Sequence, residues 1–228
     1  MAQRVQEEQL GDLKLYRVPE RTTVASRQAK QVRLFDRRSI PITILYGASL
    51  PANQNSALRP AERFLRTRND RAHGLALPLP SAQVASFVKR GEAALLVGES
   101  PLRDTAVDEE FELGLGESPD VQVESVRERR RVGPSTEADV LPRVRGATSL
   151  RSSPVDDVNR VEIHNARGSS IHFELKLQLA DGTQLIAADH PVGTRNGQPL
   201  FQLTMAAGTS QTIHYQTEHT VAVSHGHN

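Results

Sequence analysis

The chain is predicted to be all-β: two β-sandwich-like modules with few or no helices, the second module immunoglobulin-like. Three observations carry this expectation. Ile171, Phe173, Leu175, Leu177 and Leu179 alternate with His172, Glu174, Lys176 and Gln178, the period-2 pattern of a strand with one buried face. Short β-prone runs follow at Leu185-Ile186 and at 200–205, 212–215 and 220–223. Gly193, Asn196-Gly197 and Gly208 punctuate them with no helical period between, the spacing of a sandwich of roughly seven strands in ~100 residues.

Taken in order, residues 1–10 read as a polar lead-in, with Val5 and Leu10 too sparsely placed to define a helix. Residues 13–18 alternate as a strand, and Pro19 makes a corner because it cannot donate to a ladder. Thr22-Thr23-Val24-Ala25 opens the next strand, which closes over 31–35. Ile40 to Tyr46 is a β-branched strand entered through Pro41, and 51–59 is a loop. Residues 63–68 form a strand ended by Asn69-Asp70; the prolines at 78 and 80 exclude a helix over 75–80. Residues 83–89 form a strand in which the doublet Phe87-Val88 leaves the phase ambiguous, Arg90-Gly91-Glu92 turns the chain, and 94–97 returns to Gly98. Residues 111–116 and 121–126 alternate, and the charged run to Arg131 continues the second of these strands. Residues 133–158, rich in Pro, Ser, Gly and charge, read as a long loop holding one short strand at Val140-Leu141. Val161-Glu162-Ile163 and 171–179 read as a hairpin closed by Asn165-Ala166-Arg167-Gly168. The expected modules are therefore 11–120 and 121–228.

Composition narrows the function classes. At 228 residues, with 37% hydrophobic and only 4% aromatic content and no Trp, the core must be built from Leu, Val, Ile and Ala. Each missing ring forgoes about 150–250 Å² of burial, which suits thin modules. A net charge of +1 supplies no overall field for nucleic acid or an anionic membrane. Of the 28 lysines and arginines only four are lysines, leaving 24 arginines. With acidic residues interspersed nearly one for one, this reads as codon bias in a GC-rich genome. The absence of cysteine excludes disulfides, Cys-based zinc sites and thiol catalysis. No apolar run approaches the ~20 residues of a membrane span, and no signal peptide is visible in the polar first ten residues, so the chain reads as either cytosolic or a mature or truncated form of an exported protein.

Several short stretches resemble a known family. These are Gly11-Asp12-Leu13 through Lys30-Gln31-Val32, with Tyr16 and Thr22-Thr23-Val24 between; Arg68-Asn69-Asp70; Gly74 to Pro80 followed by Val84; Val97-Gly98-Glu99; Leu115-Gly116; and Asn165-Ala166 ahead of an alternating strand. Their order resembles the C-terminal region of DUF4139 proteins, related to the mucoidy inhibitor A proteins, in dispersed matches from about Leu10 to His219. The resemblance implies an exported bacterial protein, periplasmic or at the cell surface, of uncharacterised function. It carries over no catalytic residue. The chain departs from the family pattern in lacking its long N-terminal part and leader, as a processed or cut C-terminal piece would.

Candidate sites are few. Arg127, Arg129, Arg130 and Arg131 form the first-choice partner-binding surface, since guanidinium suits bidentate contact with carboxylates or an acidic glycan; a solvated strand end at a domain junction weighs equally. His164 and His172 flank the expected hairpin turn, and His214 and His219 lie on the last strands; three of the four converging on one sheet face would suit zinc, but four exposed alternating positions outweigh a metal site. His225-Gly226-His227 reads as a solvated tail. Asp189-His190 is half an acid–base pair, but strand neighbours point to opposite faces unless Pro191 bends them together; a structural turn is favoured. No Gly-x-Ser-x-Gly elbow occurs, and no helix follows Gly114-Leu115-Gly116 to hold a phosphate. Tyr16, Phe35 and Tyr46 read as packing rather than a sugar platform.

The expectation is thus a non-enzymatic structural or adhesive envelope protein without catalytic residues, cofactor or metal. It would assemble with other protein subunits, as a homo-oligomer or filament, through β surfaces. A surface carbohydrate-binding module and a metal-dependent hydrolase are the alternatives.

Overall fold

The computed structural model describes residues 6–10, 13–17, 26–27, 33, 35–134, 136–137 and 151–223. These form an all-β protein with no helix among the described residues. The chain divides into two compact units, Met1–Thr43 with Leu65–Leu113 and Ile44–Phe64 with Gly114–Asn228. The units are discontinuous in sequence, whereas the expected modules follow one another at residue 120.

In the first unit, β1 (Gln6–Leu10) pairs antiparallel with β2 (Leu13–Arg17), Leu10 opposite Leu13. The lead-in therefore holds a strand. The two residues between the strands, Gly11-Asp12, have the composition of a two-residue hairpin loop, a signal that outweighs the polarity of the segment before it. The expectations at 18–25, 31, 32, 34, 140–141 and 225–227 lie outside the described residues; Arg33 and Phe35 are not in strand. The same unit contains an antiparallel ribbon of β5 (Ala82–Arg90) and β6 (Ala93–Leu102), closed by a turn with Gly91 at φ 61°. Asn69 organises the connections below it. Its buried amide nitrogen donates to the carbonyls of Leu77 (2.8 Å), Thr105 (3.3 Å) and Ala106 (2.8 Å), and its backbone exchanges bonds with Asp108 and Glu109.

The second unit is built on one curled sheet. Its strands are β3 (Thr43–Pro51), β4 (Ser56–Arg68), β7 (Glu110–Val132), β8 (Thr136–Glu137), β9 (Arg151–Asn165), β10 (Ile171–Gln178), β11 (Gln184–Ala188), β12 (Gly193–Arg195), β13 (Gln198–Met205) and β14 (Thr209–Val223). The order across the sheet is β11-β14-β9-β7-β4-β3-β10-β13-β12, with β8 on β9. Of these, β4 and β7, and β3 through Thr43 alone, have residues in both units. The curl follows from the core: Phe201 on β13 and Tyr215 on β14 sit near opposite ends of the order, yet their ring centroids are 6.4 Å apart. Both belong to a cluster with Tyr46, Leu50, Val123, Ile163, Phe173, Leu175 and Leu177. Four rings, Tyr46, Phe173, Phe201 and Tyr215, stand among the aliphatics that fill the interior, so the core draws on the chain's few aromatics as well as on the expected Leu, Val, Ile and Ala.

Two expectations are corrected here. Residues 151–158, assigned to a long loop, begin β9, whose alternate residues Ser153, Val155, Asp157 and Asn159 are buried. Their pattern is period-2, but polar residues occupy the inward positions and hide it. The 161–163 and 171–179 segments are strands but not a hairpin. Both edges of β9 are taken, by β14 from Thr209↔Asn165 to Val223↔Arg151 and by β7 from Val121↔Asn165 to Val132↔Val155. Those long registers outweigh a short local closure, so β10 pairs instead with β13 antiparallel and with β3 in parallel. The crossing loop is pinned by Asn165, whose amide donates to Ser169 O (3.1 Å) and Ala206 O (2.8 Å). The parallel pair explains why β3 runs on past Tyr46: a Cβ at Gly47 would lie 2.7 Å from the Glu174 carbonyl oxygen, so only glycine permits this approach.

Candidate interaction site

The arginine segment of β7 is divided by a bulge. Up to it, Val121, Val123 and Ser125 face the core; a register shift between Arg127 and Arg129 then reverses the phase. A bulge adds one residue to one strand and re-aims the side chains beyond it. Arg129 and Arg131 consequently stand opposite Val158 and Asp156 on the face away from the core. With Ile186, Gln216 and Glu218 they line a hollow of about 340 Å³. Ile186 reaches it through a matching irregularity between Leu185 and Ala187 on β11. Arg130 is exposed opposite Asp157. Arg127 is different: its Nη1 donates to Asn53 O (3.1 Å), and its backbone N–H to Asn55 Oδ1 (2.7 Å).

Arg127 belongs to a polar end of the core. The 52–55 loop is held there by Thr217 Oγ1 donating to Asn53 Oδ1 (2.6 Å), Asn159 Nδ2 to the same oxygen (3.3 Å), and Ser125 Oγ to Gln54 O (3.2 Å). Tyr215 donates its hydroxyl to Ala52 O; burial pushes this phenol up, reinforced by the Asp157 charge and opposed by Ser125. Asp157 is 0% exposed and neither carboxylate oxygen has a hydrogen bond. Arg127 Nε and His219 Nδ1 stand 3.9 and 3.8 Å from it, too far for direct bonds.

The histidines do not gather. His164 Nδ1 meets Ser210 Oγ at 2.8 Å and His172 Nδ1 meets Thr204 Oγ1 at 3.3 Å, each on its own strand pair. His164 and His172 do not face one another, because β9 and β10 are not neighbours. His214 Nδ1 lies 3.0 Å from Asp189 Oδ2, and His190 Nδ1 lies 2.7 Å from Asp189 Oδ1. The chain bends at Asp189-His190, so the adjacent pair do meet. Asp189 also accepts the His214 N–H (2.9 Å), which ties the end of β11 to β14. Burial pushes the Asp189 carboxyl up, but the hydrogen bonds from His190 and His214 outweigh it and hold the group below its ordinary value of 3.8. Among the described residues, no three His, Asp or Glu side chains form a set able to hold a metal.

The β5–β6 ribbon stands apart in chemistry. Phe87 is opposite Leu96 and Val88 is opposite Leu95. Directly opposed residues share a face and successive residues alternate, so the ribbon is apolar on both faces. These four side chains are 59%, 53%, 49% and 48% exposed in that order. Val97, unpaired at the irregularity between Ser86 and Phe87, sits beside them. The sequence signal was the pair of doublets Phe87-Val88 and Leu95-Leu96. Adjacent apolar residues spoil alternation because both faces of this element are apolar.

Compared with protein-family models, with curated proteins and with solved structures, the chain matches none.

Proposed function

We propose that this protein acts by binding protein through exposed β surface and that it self-assembles, as a non-enzymatic structural or adhesive component. One observation carries the reading: the two-sided apolar ribbon of Phe87, Val88, Leu95 and Leu96. A two-stranded ribbon alone is marginal in water. Exposed contiguous apolar surface of this kind is typical of interaction sites. The setting at the bacterial envelope rests on the resemblance to DUF4139 proteins. The hollow between Arg129, Arg131 and Glu218 offers charges of both signs and supports a secondary polar contact, to protein or acidic glycan.

Sedimentation velocity over about 1–100 µM tests the reading, since association makes the apparent mass depend on concentration. The expected result is mass rising with concentration for the natural chain and a fixed monomer mass for the Phe87→Ser, Leu95→Ser double variant, with circular dichroism unchanged. A natural chain that stays monomeric across the range sinks self-assembly.

A further inference from the structure

We propose that the hollow between β7 and β11 binds a free α-amino acid with an aliphatic side chain. This goes beyond the ribbon reading and does not depend on it.

The first observation is where the irregularities of the sheet fall. Arg129 on β7 is opposite Val158, Val158 is opposite Gln216, and Gln216 is opposite Ala187 on β11. These four residues make one rung across four strands. The bulge on β7 lies just before Arg129, and the irregularity on β11 lies just before Ala187. The same rung is therefore disturbed at both ends. Bulges bend strands, re-aim side chains and are over-represented next to active sites. Here Arg129 and Ile186, from the two bulged strands, line one hollow of about 340 Å³. That volume suits a small ligand.

The second observation is the placing of charge. The next rung runs Arg131, Asp156, Glu218, Gln184. Asp156 and Glu218 are directly opposed like charges, an arrangement that destabilises a sheet, and Arg131 is the one cation of their rung. Arg129 has no anion opposite it, only Val158. Among the described residues, none of these four charged side chains forms an ion pair. Positive charge is thus in surplus at Arg129 and negative charge at Glu218, two strands apart, about 10 Å. A simple anion would gain from the arginines and be repelled by the carboxylates; a simple cation would meet the reverse. A ligand carrying both charges a few bonds apart matches both ends. The carboxylate of an α-amino acid accepts two parallel N–H bonds from the Arg129 guanidinium. Its ammonium donates to Glu218 and Asp156. Its side chain covers Val158, which is half-buried, and Ile186, which is 49% exposed, removing apolar surface from water.

Amide NMR of the natural chain, titrated with leucine and its analogues, tests the assignment. Leucine is expected to shift the Val158 and Gln216 amides saturably, with a Kd below about 10 mM. Leucinamide, which lacks the carboxylate, and N-acetylleucine, which lacks the ammonium, are each expected to bind at least about tenfold more weakly. Arg129→Gln is expected to remove the preference for leucine over leucinamide, and Glu218→Gln the preference over N-acetylleucine. Both side chains are exposed, so these variants test charge rather than folding. No saturable shift at about 50 mM leucine, equal binding of leucine and its two analogues, or tighter binding of galacturonate or leucyl-leucine would overturn the assignment. Each of those results leaves the ribbon reading standing, since sedimentation of the natural chain without added ligand decides that reading separately.

Discussion

Asn69, which is buried, and Asn53, which is half-buried, each hold a turn of the chain with one side-chain amide, and each reads in sequence as an ordinary turn residue. The Asn69 nitrogen serves three carbonyls. Asn69→Asp would turn a carboxylate oxygen toward them, and the expected loss is about 2–4 kcal/mol in urea unfolding, exceeding that of Asn69→Ala. Asn53 accepts from Thr217 and Asn159; Asn53→Ala strands both buried donors, and a loss of about 2–3 kcal/mol is expected. Asp189 makes a pH prediction. Its carboxyl is depressed in the folded chain, so its contribution is present above the unfolded value near 3.8 and is lost as pH falls through the lower folded value. Amide exchange at His214, whose N–H Asp189 accepts, is expected to accelerate in that acid window and not near neutrality. A flat profile there would refute the coupling. Asp157 was illegible for a simple reason: alternation marks a buried face only while the inward residues are apolar, and β9 turns polar at Asp157 and Asn159.

At the scale of elements, period-2 patterning located strands well and partners poorly. The alternation over 171–179 revealed β10, but neighbouring strands are chosen by registers up to fifteen pairs long that no local window contains. Gly47 illustrates the difference. In sequence it lies just past the expected 40–46 strand; in the sheet it admits the Glu174 carbonyl. Gly47→Ala must push β3 from β10, and a loss of about 1–3 kcal/mol is expected, measurable by thermal unfolding. An unchanged midpoint would mean that the parallel pair yields without strain. The arginine segment was visible as a charged strand end, yet its split into an inward Arg127 and outward Arg129 and Arg131 depends on one bulge. Deleting Glu128 should restore regular phase and move Arg129 and Arg131 off the hollow face, a change readable by amide exchange along β9.

Across the whole molecule, the all-β class was legible because strand alternation and turn residues act locally. The division into units was not, since it depends on where β4 and β7 go after each leaves its neighbours. The ribbon lay between these limits. Its strands were foreseen, but the exposure of Phe87 and Leu96 depends on what packs over them, which no residue in the ribbon encodes. Association through the ribbon should be largely insensitive to salt, because Phe87, Val88, Leu95 and Leu96 carry no charge; electrostatic contacts through Arg129 and Arg131 would instead weaken as screening rises. Sedimentation at two ionic strengths separates the two surfaces.

The path of β4 and β7 has a consequence for how such a chain can be remade. Arg63 donates to Leu115 O at 3.2 Å, Arg66 pairs with Glu112, and the Asn69 N–H donates to Glu109 O at 2.8 Å. The contacts step inward along two strands toward a closed end. Everything from Asp70 to Asp108 leaves and returns through that single gate, as a cassette spliced into one strand-to-strand connection. Two turn residues in its place would keep the reading frame of the sheet. A lineage, or an engineer, can therefore exchange the 70–108 segment for another insertion at this connection.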